Sequence, residues 1–133
     1  MASAIYPKFK EAILQATANS SLGGTVKVAL VDTGTYTYSA AHEFYSSLTG
    51  IVGPAQASQP TLATKTFVNG LFDAQDVTFT GVSGVSVEAL VIYVDTGTAG
   101  TSRLVAFVDS FTAVTPNGGD ITITWNASGI FQL

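Results

Sequence analysis

The N-terminal part of the chain carries a helical pattern of hydrophobic and polar residues. Ile5, Phe9 and Ile13 recur at four-residue intervals, and lysine, glutamate and glutamine residues fall on the other side of such a helix. Pro7 suits the first turn, where the missing N–H has no intrahelical partner to lose. The pattern therefore predicts one amphipathic helix over about residues 6–18.

From residue 25 onward, apolar residues recur at every second position, which is typical of β-strands. Residues 88–95 and 103–109 differ, because nearly every position is apolar and a Thr/Gly-rich turn separates the two segments. We expect these segments to form a central hairpin buried on both faces. Such burial needs a second sheet, the helix or a partner subunit to cover it. The predicted strands lie at residues 25–31, 65–68, 71–72, 76–80, 88–95, 103–109 and 120–125.

Two longer segments lack a clear period. Residues 39–48 carry Phe44 and Leu48 and could form a short helix or a loop. Residues 50–61 contain two prolines, two glycines and two glutamines, which is typical of a surface loop. We expect this second segment to be the most flexible part of the chain.

Composition supports a mainly β fold. Only 11% of the residues are charged, whereas an ordinary soluble domain has about 25%. Eighteen threonines help to cover the surface instead, and their β-branched side chains suit strands better than helices. We expect a single domain over residues 1–133, with a β-sandwich or jelly-roll-like fold at 25–133 preceded by one N-terminal α-helix.

The charge balance and the cysteine count narrow the possible partners. The formal net charge is −4 and no basic stripe is present, so we expect neither nucleic acid nor a membrane as a partner. No apolar run approaches the roughly 20 residues of a transmembrane helix, and the N-terminal pattern is unlike a signal peptide. The chain has no cysteine, which excludes disulfides and cysteine-ligated metals. No cofactor is predicted.

One five-residue motif, Val-Asp-Thr-Gly-Thr, occurs at residues 31–35 and again at 94–98, each time after a hydrophobic segment. A strand that ends in Asp-Thr-Gly resembles the active-site turn of aspartic proteases, where two aspartates share a proton and activate water. Under that hypothesis Asp32 and Asp95 would be catalytic. Two-lobed members of that family need roughly twice this length, however, and Asp and Gly are also favoured in hairpin turns. We therefore favour a structural turn and expect no enzymatic activity.

The remaining candidate groups are few. His42 is the only histidine, so no two-histidine metal site can form, and we expect it at a solvated polar position. Aspartates near strand ends could gather around calcium, but none forms the acidic loop of an EF-hand. Trp125 and five other aromatic residues could line a sugar-binding face, although the core is their expected place. The others are Tyr6, Phe9, Tyr93, Phe107 and Phe131.

Three segments, residues 4–11 (AIYPKFKE), 88–98 (EALVIYVDTGT) and 115–125 (TPNGGDITITW), resemble small proteins encoded in the structural gene clusters of tailed bacteriophages. The resemblance implies a virion component, and first among these a capsid decoration, or cement, protein. Such a protein would have a jelly-roll-like fold and would stabilise the phage head by bridging subunits of the major capsid protein, without chemistry. A tail-associated module that binds host carbohydrate is the alternative.

The resemblance also implies where the protein acts. It would be made in the host cytoplasm and would act at the capsid surface, and the strands buried on both faces predict a homodimer or homotrimer. Its docking residues would come from the apolar side of the helix and from the apolar C-terminus. The interface candidates are Tyr6, Phe9, Ile13, Phe131 and Leu133.

Overall fold

The computed structural model describes residues 3–133 and shows a mainly β fold with one α-helix. The paired strands run antiparallel to their neighbours. Within the described residues, no helix is long and apolar enough to cross a membrane. The elements are β1 (Ala4–Ile5), α1 (Pro7–Gln15), β2 (Val26–Val31), β3 (Ile51–Val52), β4 (Leu71–Phe72), β5 (Val77–Phe79), β6 (Ala89–Val94), β7 (Arg103–Val108), β8 (Ile121–Ile123) and β9 (Phe131–Gln132).

Helix α1 is shorter than the predicted range of residues 6–18. Pro7 occupies its first position, as expected. The helix ends before Ala16, which adopts a left-handed conformation with a φ of 50°. The N–H of Thr17 then bonds to the carbonyl oxygen of Ala12 at 2.9 Å, which satisfies one of the terminal carbonyls of the helix. This local closure stops the helix earlier than the hydrophobic pattern predicts.

A five-stranded sheet forms the centre of the molecule, with strand order β1-β7-β6-β2-β3. The predicted hairpin is the pair β6 and β7, and β2 lies along the other side of β6. The register of β2 and β6 runs from Val26 opposite Val94 to Val31 opposite Ala89. Two further pairs, β4 with β9 and β5 with β8, form separate two-stranded sheets.

Both faces of the central strands are buried, and the chain covers them itself. All residues of β2 and β6 are buried. On one face the long connection after β2 supplies tyrosine rings. The ring centroid of Tyr45 lies 4.8 Å from that of Tyr93, and the centroid of Tyr38 lies 5.5 Å from that of Phe107. Within this connection, residues 39–48 form a loop with one 3₁₀ turn.

The opposite face packs against residues from the two small sheets. Side chains alternate along a strand, so Leu90 points away from the face that carries Tyr93. Leu90 lines a cleft together with Ile123 of β8 and Ile130, the residue before β9. The buried residues of the small sheets and of the central strands belong to one hydrophobic cluster. The central strands therefore need no partner subunit to cover them.

The short strands match the prediction only in part. In β5, two buried residues flank one exposed residue, as the alternation predicts. The predicted strand at 65–68 is reduced to a single bridge between Thr66 and Asp73. Asn69 and Gly70 follow with φ values of 54° and 77°, so the chain turns before a longer ladder can form.

The segment 50–61, expected to be a flexible surface loop, is fastened to the sheet. It contributes the edge strand β3 and a 3₁₀ turn at Gln56–Ser58. The carbonyl oxygen of Pro60 accepts a hydrogen bond of 3.2 Å from the N–H of Val28, and the side chain of Gln59 is buried. The expectation of a solvated loop was wrong for Gln59, because this glutamine is a partner for polar groups in the core.

Replacement of Phe9 by alanine tests whether α1 belongs to the core. Phe9 is fully buried, and truncation of a buried phenylalanine costs about 3–5 kcal/mol. We expect Phe9→Ala to lower the free energy of unfolding by that amount in urea titrations followed by circular dichroism. Leu14→Ala is the control on the same helix, because Leu14 is 87% exposed and should lose less than about 0.5 kcal/mol. Equal small losses in both variants would place α1 outside the core.

Candidate functional site

The two Asp-Thr-Gly turns lie at opposite ends of the central sheet. Asp32 follows β2 and Asp95 follows β6, and these strands are antiparallel neighbours. The length of the strands separates the two turns by roughly 20 Å, at about 3.3 Å per residue. Two carboxylates share a proton only when they are about 3 Å apart. Asp32 and Asp95 of one molecule therefore do not form the catalytic pair of the protease hypothesis.

Asp32 closes its own turn. Its Oδ1 accepts a hydrogen bond of 2.9 Å from the N–H of Gly34, and its Oδ2 accepts one of 3.2 Å from the hydroxyl of Thr35. Glu88 holds the same turn from the adjacent strand, because its Oε1 accepts the N–H of Thr33 at 2.9 Å. These contacts agree with the structural interpretation of the motif.

Asp95, in the second copy of the motif, belongs to a larger polar network. Its Oδ1 accepts hydrogen bonds from the N–H of Gly97 at 3.1 Å and from Nε2 of Gln56 at 2.8 Å. Its Oδ2 lies 3.5 Å from Nζ of Lys27, which is almost fully buried. Nζ of Lys27 also donates to the carbonyl oxygens of Gln56 and Ala57, each at 3.3 Å. The lysine charge is thus compensated by groups of the protein.

The network also sets the ionisation of Asp95. Burial is the largest single influence and by itself raises the pKa of this carboxyl. The hydrogen bonds from Gln56 and Gly97 and the charge of Lys27 together outweigh burial, so the pKa of Asp95 lies below its ordinary value of 3.8. The carboxylate is therefore charged at neutral pH, as its pairing with Lys27 requires.

Gln56 and Gln59, in the segment between β3 and β4, extend the network across the face of the sheet. Besides its bond to the carboxylate, Gln56 donates to the buried hydroxyl of Ser102 at 2.9 Å. Gln59 accepts a hydrogen bond from the hydroxyl of Tyr93 and donates one of 2.9 Å to the hydroxyl of Tyr45. The network therefore fastens this covering segment to the central strands.

The roles of Lys27, Gln56 and Gln59 were not predicted from the sequence. Lys27 lies on the face of β2 that also carries Ala29 and Val31, and a lysine in a buried apolar row needs an acidic partner. The position of Lys27 in this apolar row could therefore have indicated a buried ion pair. Its partner Asp95 lies on another strand far along the chain, and no local pattern connects the two residues.

A second chain of hydrogen bonds runs from the core to a half-buried histidine. The hydroxyl oxygens of Tyr6 and Tyr36 are 2.8 Å apart, and the hydroxyl oxygen of Tyr36 lies 2.7 Å from Nδ1 of His42. Burial raises the pKa of both tyrosines. The solvated position expected for His42 therefore needs correction, because the ring is half-buried and bonded to Tyr36. The inner end of the chain, Tyr6, is fully buried and has no contact with solvent.

Two of the five predicted interface residues belong to the core. Tyr6 and Phe9 are fully buried, so neither can dock a neighbouring subunit. Ile13 and Phe131 are half-buried, and Leu133 is exposed. The prediction was wrong for the first two because α1 packs against β7 and turns its apolar side inward.

The predicted aromatic face does not form one surface. Its only residues that are not buried are Trp125, which lines the cleft beside Leu90, and Phe131, whose ring centroid lies 5.3 Å from that of Phe72. The other members are in the core, which is the place expected for most aromatic residues. These buried members are Tyr6, Phe9, Tyr93 and Phe107.

Two aspartates near the strand ends of β5 and β8 bond to the backbone of the neighbouring strand segment. Oδ1 of Asp120 accepts the N–H of Gly81 at 3.0 Å, and Oδ1 of Asp76 accepts the N–H of Trp125 at 2.9 Å. Among residues 3–133, no three histidine, aspartate or glutamate side chains are close enough to hold a metal ion. The described residues therefore provide no cluster of acidic ligands for calcium.

An exposed apolar surface lies beside the C-terminal strand, and it includes two of the predicted interface residues, Ile13 and Leu133, together with two that were not predicted, Phe67 and Val68. Phe67 is exposed and lines a shallow cavity together with Ile13 of α1. Val68, the next residue, is 71% exposed. Leu133 reaches the same region, because its N–H donates a hydrogen bond of 3.0 Å to the carbonyl oxygen of Gly70. We call Ile13, Phe67, Val68 and Leu133 the apolar patch.

Replacement of Asp95 by asparagine should reveal the structural role of the network. Asparagine keeps the shape of the side chain but removes the charge that Lys27 needs, and the loss of a charged partner costs about 1–3 kcal/mol. We expect that loss in the free energy of unfolding at pH 7. Because the folded-state pKa of Asp95 is lowered, its stabilising effect is present above about pH 4 and is lost as the pH falls through that pKa. The difference between the parent and Asp95→Asn should therefore shrink in acid.

Asp32→Asn is the matched control from the first copy of the motif. Asp32 accepts hydrogen bonds within its own turn, and no buried cation depends on it among residues 3–133. We expect its loss at pH 7 to stay below about 1 kcal/mol. Urea titrations at pH 7 and pH 3 measure both variants. Equal losses at pH 7, or an Asp95→Asn effect that does not change with pH, would contradict the role assigned to the Lys27 contact.

Replacement of Tyr36 by phenylalanine should leave the buried hydroxyl of Tyr6 without a partner. An unsatisfied buried hydroxyl costs about 1–3 kcal/mol, and the hydroxyl of Tyr6 bonds only to Tyr36 within the described part of the chain. We expect Tyr36→Phe to lower the free energy of unfolding by that amount. The double variant Tyr6→Phe/Tyr36→Phe should be more stable than Tyr36→Phe, because no orphaned hydroxyl remains. A double variant that is no more stable than Tyr36→Phe would contradict this.

A function for this chain has to be argued from the contacts described above. No protein-family model matches the chain, and no curated protein sequence matches it. The ionisable groups described here fasten segments and close turns. Two accessible features of the described residues are mainly apolar, namely the apolar patch and the cleft beside Trp125.

Proposed function

We propose that this chain is a non-catalytic structural protein of a tailed-phage virion, a capsid decoration protein that stabilises the head by bridging capsid subunits. Its partner is the major capsid protein, and its site of action is the capsid surface, after synthesis in the host cytoplasm. The resemblance of three sequence segments to phage structural proteins supports this role. The structural observation that carries the proposal is the apolar patch.

The apolar patch fits attachment to a neighbouring subunit. Val68 and Leu133 are exposed, whereas most large apolar side chains of the described residues are buried or half-buried. Exposed apolar side chains that cluster at one place are typical of protein–protein contact sites. Repeated attachment to a symmetric shell makes even weak contacts effective, because bound copies act together.

The placement of the polar groups supports a role without chemistry. Asp95 and Lys27 compensate one another beneath the covering segment, and Asp32 closes a turn. The hydrogen-bonded tyrosine chain ends in the core at Tyr6. Groups used in this way make the domain rigid, which suits a subunit that must resist expansion and heat together with the shell.

A β-sandwich or jelly-roll-like arrangement of residues 25–133 is the finer form of the fold that we propose. Two observations support it. The five-stranded sheet provides one layer, and the pairs β4–β9 and β5–β8 share a hydrophobic cluster with it. Packed β layers give a stiff domain with extended outer faces, which suits docking on a lattice.

Self-association through the apolar patch is the first test. We expect a dimer or trimer by size exclusion with light scattering, and we expect Val68→Asp to be monomeric, because an unpaired carboxylate is strongly disfavoured inside an interface. Val85→Asp is the matched control, because Val85 is 58% exposed and lies outside the patch. It should keep the mass of the parent. A monomeric parent, or dissociation of both variants, would contradict association through the patch.

Binding to phage heads tests the proposed role itself. Heads of the phage that encodes this chain, assembled without it, should bind the purified protein to saturation and then resist heating that disrupts undecorated heads. Val68→Asp should bind about tenfold more weakly, because a monomer presents fewer contacts to the lattice. Val85→Asp should bind as the parent does. Absence of co-sedimentation between the parent and the heads would overturn the proposal.

A further inference from the structure

A cleft of about 410 Å³ lies between β8 and the connection that follows β7. Residues 110–112 and 114 line one wall, and residues 122–126 line the other. Among the described residues that line it, none is charged. Its apolar lining includes Leu90, Val108, Phe111, Ile123, Trp125 and Ile130.

The wall formed by β8 carries an unpaired strand edge. Among residues 3–133, β8 pairs only with β5. The N–H of Trp125 bonds to Asp76, the residue that precedes β5, so Trp125 turns its N–H towards that strand. Backbone directions alternate along an antiparallel strand. Thr122 and Thr124 therefore direct their N–H and C=O groups away from β5, along the free edge.

The opposite wall also has backbone groups without partners. Residues 110–113 make no hydrogen bond, through backbone or side chain, to any other residue in the range 3–133. Pairing resumes only at Val114, which exchanges two backbone bonds with Val87, of 2.7 and 2.9 Å. The cleft thus combines an apolar floor with main-chain donors and acceptors on a free strand edge.

We propose that this cleft binds an extended, uncharged segment of another protein chain, which adds a strand beside β8. Main-chain groups of the segment would pair with Thr122 and Thr124, as in other cases of strand addition. Side chains on one face of a strand recur every second residue, so alternate apolar side chains would enter the cleft. A charged side chain is disfavoured there, because none of the lining residues would compensate it.

Strand addition is an interaction separate from that of the apolar patch. The patch residue Val68 does not line the cleft, and the cleft residue Trp125 does not belong to the patch. A subunit with both surfaces can bind a folded neighbour through one and an extended arm of a neighbour through the other. The two interactions can therefore be tested with different variants.

The test uses the full chain and a capped peptide of about seven alternating valine and threonine residues, with two terminal lysines for solubility. Trp125 is the only tryptophan and lines the cleft, so its fluorescence reports binding. We expect a saturable change, together with at least about fivefold slower hydrogen exchange at the amides of Thr122 and Thr124. A peptide of the same sequence, N-methylated at every second residue on the pairing edge, should bind at least about tenfold more weakly.

Two substitutions at one position separate main-chain from side-chain recognition. Thr124→Pro removes the N–H on the free edge, a place where strands tolerate proline, and it should weaken binding about tenfold. Thr124→Val keeps the N–H and should bind within about threefold of the parent. Circular dichroism checks that both variants fold. If Thr124→Pro does not fold, the N-methylated peptide still tests the same backbone contact.

Several results would overturn strand addition. One is equal binding of the methylated and unmethylated peptides, and another is equal weakening by the two Thr124 variants. Absence of peptide binding at millimolar concentration would also overturn it. So would a fluorescence change with a neutral oligosaccharide such as maltoheptaose but not with the peptide, which would make the cleft a sugar site. Val68→Asp should bind the peptide as the parent does, so failure here is distinct from failure of head binding.

Discussion

Strands β2 and β6 carry almost no side chain that can face water, and both of their faces must therefore be covered. Two different parts of the chain cover these faces. Tyrosine rings from the connection after β2 cover one face, and the small sheets pack over the other. The exception is Lys27, a charge within the covered region. Its need for an anion and for carbonyl oxygens explains why Asp95 and the segment around Gln56 lie where they do.

The same constraint gives different roles to two copies of one motif. Because β2 and β6 are antiparallel, the motif that ends each strand appears at opposite ends of the sheet. At the end of β2, the side chain of Asp32 bonds only within its own turn among residues 3–133. At the end of β6, Asp95 meets Lys27 and becomes part of the covering of the sheet. The two copies of the motif therefore contribute differently to the stability of the fold, because they have different neighbours in the sheet.

Sequence periodicity predicts what is local in this fold. The β6–β7 hairpin and the inward residues of β5 were predicted because alternation and complete burial are visible within a few residues. The end of α1 was not, because it depends on the left-handed conformation of Ala16. The core partners of Tyr6 and Phe9, the Lys27 network and the exposure of Phe67 and Val68 all depend on how distant segments pack. No spacing along the chain encodes those contacts.

The pairing of β1 has a consequence for the order in which the protein can form during synthesis. Ala4 pairs with Phe107 and Ile5 with Ala106, so the first strand has no partner until β7 leaves the ribosome. At about 5–20 residues per second, this delay lasts roughly 5–20 s. Through that time α1 and its buried Phe9 have no β7 on which to dock. Helix α1, although translated about 90 residues before β7, joins the fold among the last elements, and the nascent chain must keep its apolar side from other partners until then.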